Sequence, residues 1–104
     1  MRIRKALGED AAALRRVVDE ARRSLGYPKD WIDTVQSDLS ISPEFITTNE
    51  IYLAEESAES LGFYMLIGNK LEELWIAPEH FGTGVGKQLF LHAKERAARR
   101  LAAD

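Results

Sequence analysis

Along this 104-residue chain the spacing of apolar positions changes from one segment to the next, and each change predicts an element. Met1-Arg2-Ile3-Arg4-Lys5-Ala6 alternates, which suits an edge or near-edge strand with Ile3 facing inward, and Gly8 ends it. From Glu9 the period turns helical. Leu14, Val17, Val18, Ala21 and Leu25 form one stripe at spacings of three and four, while Arg15, Arg16, Asp19, Glu20 and Arg22 are expected to point away. Gly26-Tyr27-Pro28 is a stop signal. A second helix is predicted over Trp31 to Leu39, capped by Asp30, and a brief one over Pro43 to Thr48, opened by Ser42 with Pro at the first helical position.

Strands follow. Ile51 to Ala54 and Leu61 to Ile67 are rich in residues that pack on pleated surfaces, with Glu55 to Ser60 read as the loop between them. Gly68-Asn69 makes a tight turn into a third antiparallel strand, Leu71 to Ala77, in which Leu74 and Ile76 share one face and Glu73, Trp75 and Ala77 the other. After Pro78 and a glycine-rich stretch, a long helix from Val85 to Ala103 carries Leu89, Phe90, Ala93, Ala97 and Leu101 on one face, with Lys94, Arg96, Arg99 and Arg100 mostly outside.

Length and the absence of a linker imply one domain over residues 1 to 104. With 45% hydrophobic and 30% charged residues there is material for a core and no case for disorder. A formal charge of −3 argues against nucleic acid or anionic membrane as the main partner. No Cys is present, so a disulfide, a thiolate nucleophile and a cysteine metal site are all excluded. No apolar run follows the basic start, so cytoplasmic residence is expected rather than export or anchoring.

Candidate chemistry concentrates in Pro78-Glu79-His80-Phe81-Gly82-Thr83-Gly84-Val85-Gly86-Lys87, where three alternate glycines join a strand end to a long helix. Bare backbone at such a junction approaches an anion closely, the helix N-terminus adds attraction, and Lys87 adds a charge. A P-loop does not fit: Phe81 stands where its first glycine belongs and Gln88 where its hydroxyl does. The dinucleotide fingerprint fails from either Gly82 or Gly84, and no strand-helix-strand unit surrounds it.

What remains is similar to motif A of the GNAT N-acyltransferases, R/Q-x-x-G-x-G/A, here Phe81-Gly82-Thr83-Gly84-Val85-Gly86. The resemblance runs through the Arg2-Ile3-Arg4 strand, the two early helices, Pro43-Glu44-Phe45-Ile46, the hairpin with Leu61-Gly62-Phe63, and Leu74-Trp75-Ile76-Ala77-Pro78-Glu79. It implies an α+β fold of the three-layer type, a mixed, mainly antiparallel sheet flanked by helices. It also implies transfer of an acetyl group from acetyl-CoA to a primary amine on a small molecule or peptide. Phe81, Gly82, Thr83, Gly84, Val85, Gly86 and Lys87 would hold the cofactor diphosphate, and the backbone of Leu74, Trp75 and Ile76 its pantetheine and thioester. Phe81 departs from the motif and removes one side-chain contact to phosphate. The alternative is a non-catalytic CoA-binding or interaction module derived from a truncated acetyltransferase.

Acyl transfer needs a neutral amine, so a carboxylate is sought near the strand end; Glu73 is the favoured base and Glu72 the other candidate, with an exposed salt-bridging role as the plain alternative for both. His80 and His92 are weaker, and no pair shows metal-ligand spacing, so no metal is expected. Tyr27, Trp31 and Tyr64 are candidates for an acceptor pocket, against ordinary packing. Relatives continue beyond this last helix with another strand, a helix bearing a Tyr acid and a hairpin. The expectation is therefore a fold that stops early, with a free strand edge, Phe90 and Leu101 half-covered, and self-association as a homodimer.

Overall fold

The computed structural model describes residues 1–26 and 41–103. The expected helix over Trp31 to Leu39, with Tyr27, Asp30 and Trp31, lies outside the described residues. Strand β1 (Arg2–Lys5) leads through a single 3-10 turn, Gly8–Asp10, into helix α1 (Ala11–Ser24). Helix α2 (Pro43–Thr48), strands β2 (Glu50–Glu56), β3 (Glu59–Ile67) and β4 (Lys70–Ile76), a second 3-10 turn, Pro78–His80, and helix α3 (Val85–Ala103) complete the order.

The four strands form one sheet in chain order, β1-β2-β3-β4, and every pairing is antiparallel. Helices cover both faces. On one, Leu14, Val17 and Val18 of α1 and Ile46 of α2 pack against Ile51, Leu53, Phe63 and Met65, with Trp75 at the margin. On the other, Val85, Leu89 and Ala93 of α3 pack against Ala54, Tyr64 and Leu66, with Ile3 and Ile76 beside them. Strand alternation sends β2 and β3 side chains to both layers, which is why the interior of β3 is buried on both faces.

Local chemistry explains the joints. Ser42 accepts a hydrogen bond from the Phe45 amide at 3.0 Å and Pro43 opens α2, as its sequence predicts. Asp10 accepts from the Leu7 amide at 2.7 Å and takes two hydrogen bonds from Arg4, at 2.9 and 3.0 Å, so one carboxylate fixes β1 to the entry of α1. Gly26, at φ +81°, closes α1 in the left-handed region.

Three expectations are corrected. The stretch from Glu55 to Ser60 is no loop: pairing continues to Glu56 and Glu59, and Ser57 and Ala58 turn the chain alone, at φ +51° and +67°. A two-residue turn with both residues left-handed matches strand twist, and the absence of Gly or Asn hid it. Leu25 is 62% exposed, because α1 ends one residue earlier and its stripe stops at Ala21. Arg22 is not outside but buried, its guanidinium 5.2 Å from the centre of the Trp75 ring; its aliphatic stem extends the apolar face where a shorter polar residue would break it.

Candidate functional site

Strand β4 ends where Ala77 donates its amide to Leu61 O at 2.9 Å, and Pro78 then turns the chain away from the sheet. Leu61 is the extra residue of a bulge, since Ala54 pairs with Gly62 and Glu55 with Ser60. The 3-10 turn closes through His80 and Phe81 amides to Ala77 and Pro78 carbonyls, and the Thr83 amide and hydroxyl both donate to His80 O. The loop is thus tied internally before α3 begins. The Thr83 amide belongs to this tie.

Gly82 and Gly84 lie at φ +77° and +92°, and a side chain on either would meet nothing within 4 Å. Their bareness is needed by the backbone conformation and leaves the outer surface of the turn open. Gly86 has another role. A methyl there would sit 3.6 Å from Ile76, an ordinary contact, so this position lies on the side of α3 that faces β4. The Gln88 amide donates to Gly84 O at 3.0 Å, so the Val85, Gly86 and Lys87 amides precede the first intrahelical donor and point from the positive end of a 19-residue helix. Beside them a cavity of about 370 Å³ is lined by His80, Thr83, Gly84, Val85, Gln88 and Glu56, among others. Lys87 is exposed, and Phe81 is 52% exposed at the mouth of the loop.

Leu74, Trp75 and Ile76 lie on β4, at the edge of the sheet, whose outer backbone groups pair with no strand among the described residues. A bulge intervenes here too: Leu66 pairs with Leu71 and Met65 with Glu73, so Glu72 is extra and simple alternation does not hold across it. Glu73 shares Trp75's face as expected, and its Oε2 accepts from Trp75 Nε1 at 2.9 Å. Glu72 is exposed and lies 3.7 Å from Lys70 Nζ.

His80 does acquire acidic neighbours. Its Nε2 is 3.9 Å from Glu59 Oε1, and one ligand atom from each of Glu59, Glu79 and His80 falls within 4.8 Å of the others. The linear spacing concealed this because Glu59 opens β3 while the other two follow β4. Tyr64 is removed from the acceptor candidates: it is fully buried under α3, stacks on Tyr52 with ring centres 5.5 Å apart, and its hydroxyl lies 2.7 Å from His92 Nδ1. Burial lowers the His92 imidazole pKa, and the Arg96 charge adds to the shift. Sequence reasoning missed the cluster of Glu50, Tyr52, His92, Arg96 and Arg100; the four-residue spacing of the last three was the available signal.

No family model and no curated protein matches the chain. Among solved structures, the PaiA N-acetyltransferase of Thermoplasma acidophilum in complex with coenzyme A superposes with a TM-score of 0.80 at 22% identity, over 95% of this chain and 72% of that one. This chain has the GNAT fold. A GCN5-related N-acetyltransferase of Rhodopseudomonas palustris gives a TM-score of 0.79 at 20% identity, with 95% and 66% coverage. A GNAT family acetyltransferase of Brucella melitensis in complex with acetyl-CoA gives 0.63 at 23% identity, with 93% and 68% coverage. The chain therefore spans about two thirds to three quarters of the length of these GNAT-fold proteins.

Proposed function

We propose that this chain binds coenzyme A or its acetyl thioester and takes part in acetyl transfer to a primary amine. The observation that carries the reading is the loop itself: two left-handed, open glycines, Gly82 and Gly84, lead into a helix start whose Val85, Gly86 and Lys87 amides have no intrahelical acceptors, and a cavity lined by Gly84 and Val85 lies beside it. That arrangement attracts a diphosphate through backbone donors and the helix dipole, with Lys87 as an added cation and no guanidinium at Phe81. The neighbouring edge of β4, at Leu74, Trp75 and Ile76, unpaired among the described residues, offers backbone donors and acceptors to an extended amide-bearing arm such as pantetheine. Two of the GNAT-fold neighbours are complexes with coenzyme A or acetyl-CoA, which supports the same ligand here.

In this reading Glu73 is the base that takes the amine proton, directly or through water, the C–N bond forms as the thioester C–S bond breaks, and the coenzyme leaves as a thiolate that takes up a proton from solvent. A second reading, binding without turnover, is favoured by one observation: the Glu73 carboxylate is already engaged by the Trp75 indole. Calorimetric titration with acetyl-CoA tests the shared claim, and thiol release with a panel of amines separates the two. Saturable binding with turnover supports transfer, saturable binding alone supports the module, and no binding removes both. Homodimerisation also belongs to the proposal, because the β4 edge and a groove of about 400 Å³ lined by Leu66, Leu71, Phe90, Ala93, Ala97 and Leu101 lie side by side.

A further inference from the structure

At the end of the sheet remote from the glycine loop, β3 closes at Gly68 and α3 runs out beside it, Arg100 donating to Gly68 O. A cavity of about 530 Å³ opens there, with Lys5, Arg96 and Arg100 in its lining and Glu50 as the one carboxylate. The lining charge is +2 in a chain of net charge −3. The dipole at the end of α3 accounts for arginines on that helix. It does not account for Lys5, which arrives from β1, at the far side of the sheet in the strand order.

The cations are held in place. Arg96 lies over the Tyr52 ring, 4.5 Å from its centre, and Lys5 Nζ lies 5.6 Å from the same ring. Glu50 receives Arg100 and stands 3.9 Å from Arg96 Nε, which is buried and has no hydrogen-bond partner among the described residues. Lys5 donates to Asn49 O at 3.1 Å, which uses one of the three donors of an ammonium. Arg96 and Arg100, four apart on one helix, repel each other, and Glu50 is the carboxylate they share among the described residues. The same arginines, with Arg99, line an adjoining hollow of about 270 Å³.

We infer that this cavity binds a compact dianion, a phosphate or a short dicarboxylate, between Lys5 and Arg96. Such a ligand neutralises the lining and accepts from the Lys5 ammonium and the accessible part of the Arg96 guanidinium, while Tyr52 fixes the spacing of the two cations. The site is separate from the glycine loop and does not depend on the function proposed for it.

The test is NMR titration of the whole chain with inorganic phosphate and, separately, with succinate, each against chloride at matched ionic strength. Saturable shifts of the Arg96 side-chain Nε–H and of the Glu50 and Gly68 amides at millimolar probe are expected, and the tighter probe identifies the anion class. Lys5→Gln, at an exposed position, is expected to weaken binding by about tenfold with unchanged circular dichroism. Arg96→Gln is expected to do the same; if it unfolds, Lys5→Gln decides alone. Shifts no larger than chloride gives, shifts confined to the amides of residues 82–87, or affinity unchanged in Lys5→Gln would overturn the site.

Discussion

The Tyr64 hydroxyl meets His92 Nδ1 at 2.7 Å inside the layer between β3 and α3. Burial pushes the Tyr64 phenol far above its ordinary range and lowers the His92 pKa, so a neutral hydroxyl faces a neutral ring, and the imidazole tautomer sets which of the two donates. This pair ties the sheet to the last helix by chemistry rather than by volume alone. Tyr64→Phe is expected to cost about 1 to 2 kcal/mol, read as a lower midpoint in urea with an unchanged slope.

The same imidazole makes stability depend on pH. Its folded pKa lies below the unfolded 6.5, so the unfolded state binds the extra proton first and stability falls as pH drops. The His92 contribution is complete above pH 6.5 and is lost on descent through the lower folded value. Urea midpoints measured across this range in the parent chain and in His92→Gln check it; equal slopes in both would refute the assignment.

Asp10 titrates lower still. Two hydrogen bonds from Arg4 hold its carboxyl below the ordinary 3.8, so its stabilisation is present above that value and disappears as pH falls through the folded one. Asp10→Asn is expected to destabilise the chain by about 1 to 3 kcal/mol at neutral pH, and by less in strong acid, where the parent carboxyl is also neutral. Thermal melts at the two pH values measure the difference.

Gly62 is fixed by close packing. A methyl at this position would stand 2.6 Å from Trp75 O and 2.9 Å from Ile76 Cδ1, the first of these a backbone atom of the paired strand. Gly62→Ala is expected to cost about 1 to 3 kcal/mol, a drop of several degrees in the thermal midpoint, and to displace the β4 backbone proposed to hold pantetheine.

At Gly84 the expectation is reversed. Nothing lies within 4 Å of a side chain there, so Gly84→Arg is expected to fold, with backbone strain of about 1 to 3 kcal/mol, while filling the proposed diphosphate cradle. Calorimetry should show acetyl-CoA binding lost in a chain whose circular dichroism is unchanged. Retained affinity would move the cofactor away from residues 82–87.

Sedimentation velocity checks the proposed dimer. Phe90 and Leu101, 48% and 59% exposed, line a groove beside the open β4 edge, and covering them is worth on the order of 1 kcal/mol each. Phe90→Glu is expected to shift the population to monomer at micromolar concentration. A parent chain that is monomeric throughout would end that proposal.

Much of this architecture was readable in the order of residues because it rests on local chemistry. Apolar period placed β1, α1, β3, β4 and α3; Ser42-Pro43 placed α2; the glycines after Pro78 marked the loop. Those features depend on backbone conformations that a few neighbouring residues dictate. Folding in three dimensions decided the rest. Two bulges, at Leu61 and Glu72, altered which side chains share a face, and no run of residues announces an extra unit in a ladder. Arg22 met Trp75, Tyr64 met His92, Glu50 met Arg100, and Glu59 met His80 only when distant segments packed. Periodicity encodes the side of an element that turns inward; which partner waits there is set by strand order and by how the helices seat on the sheet.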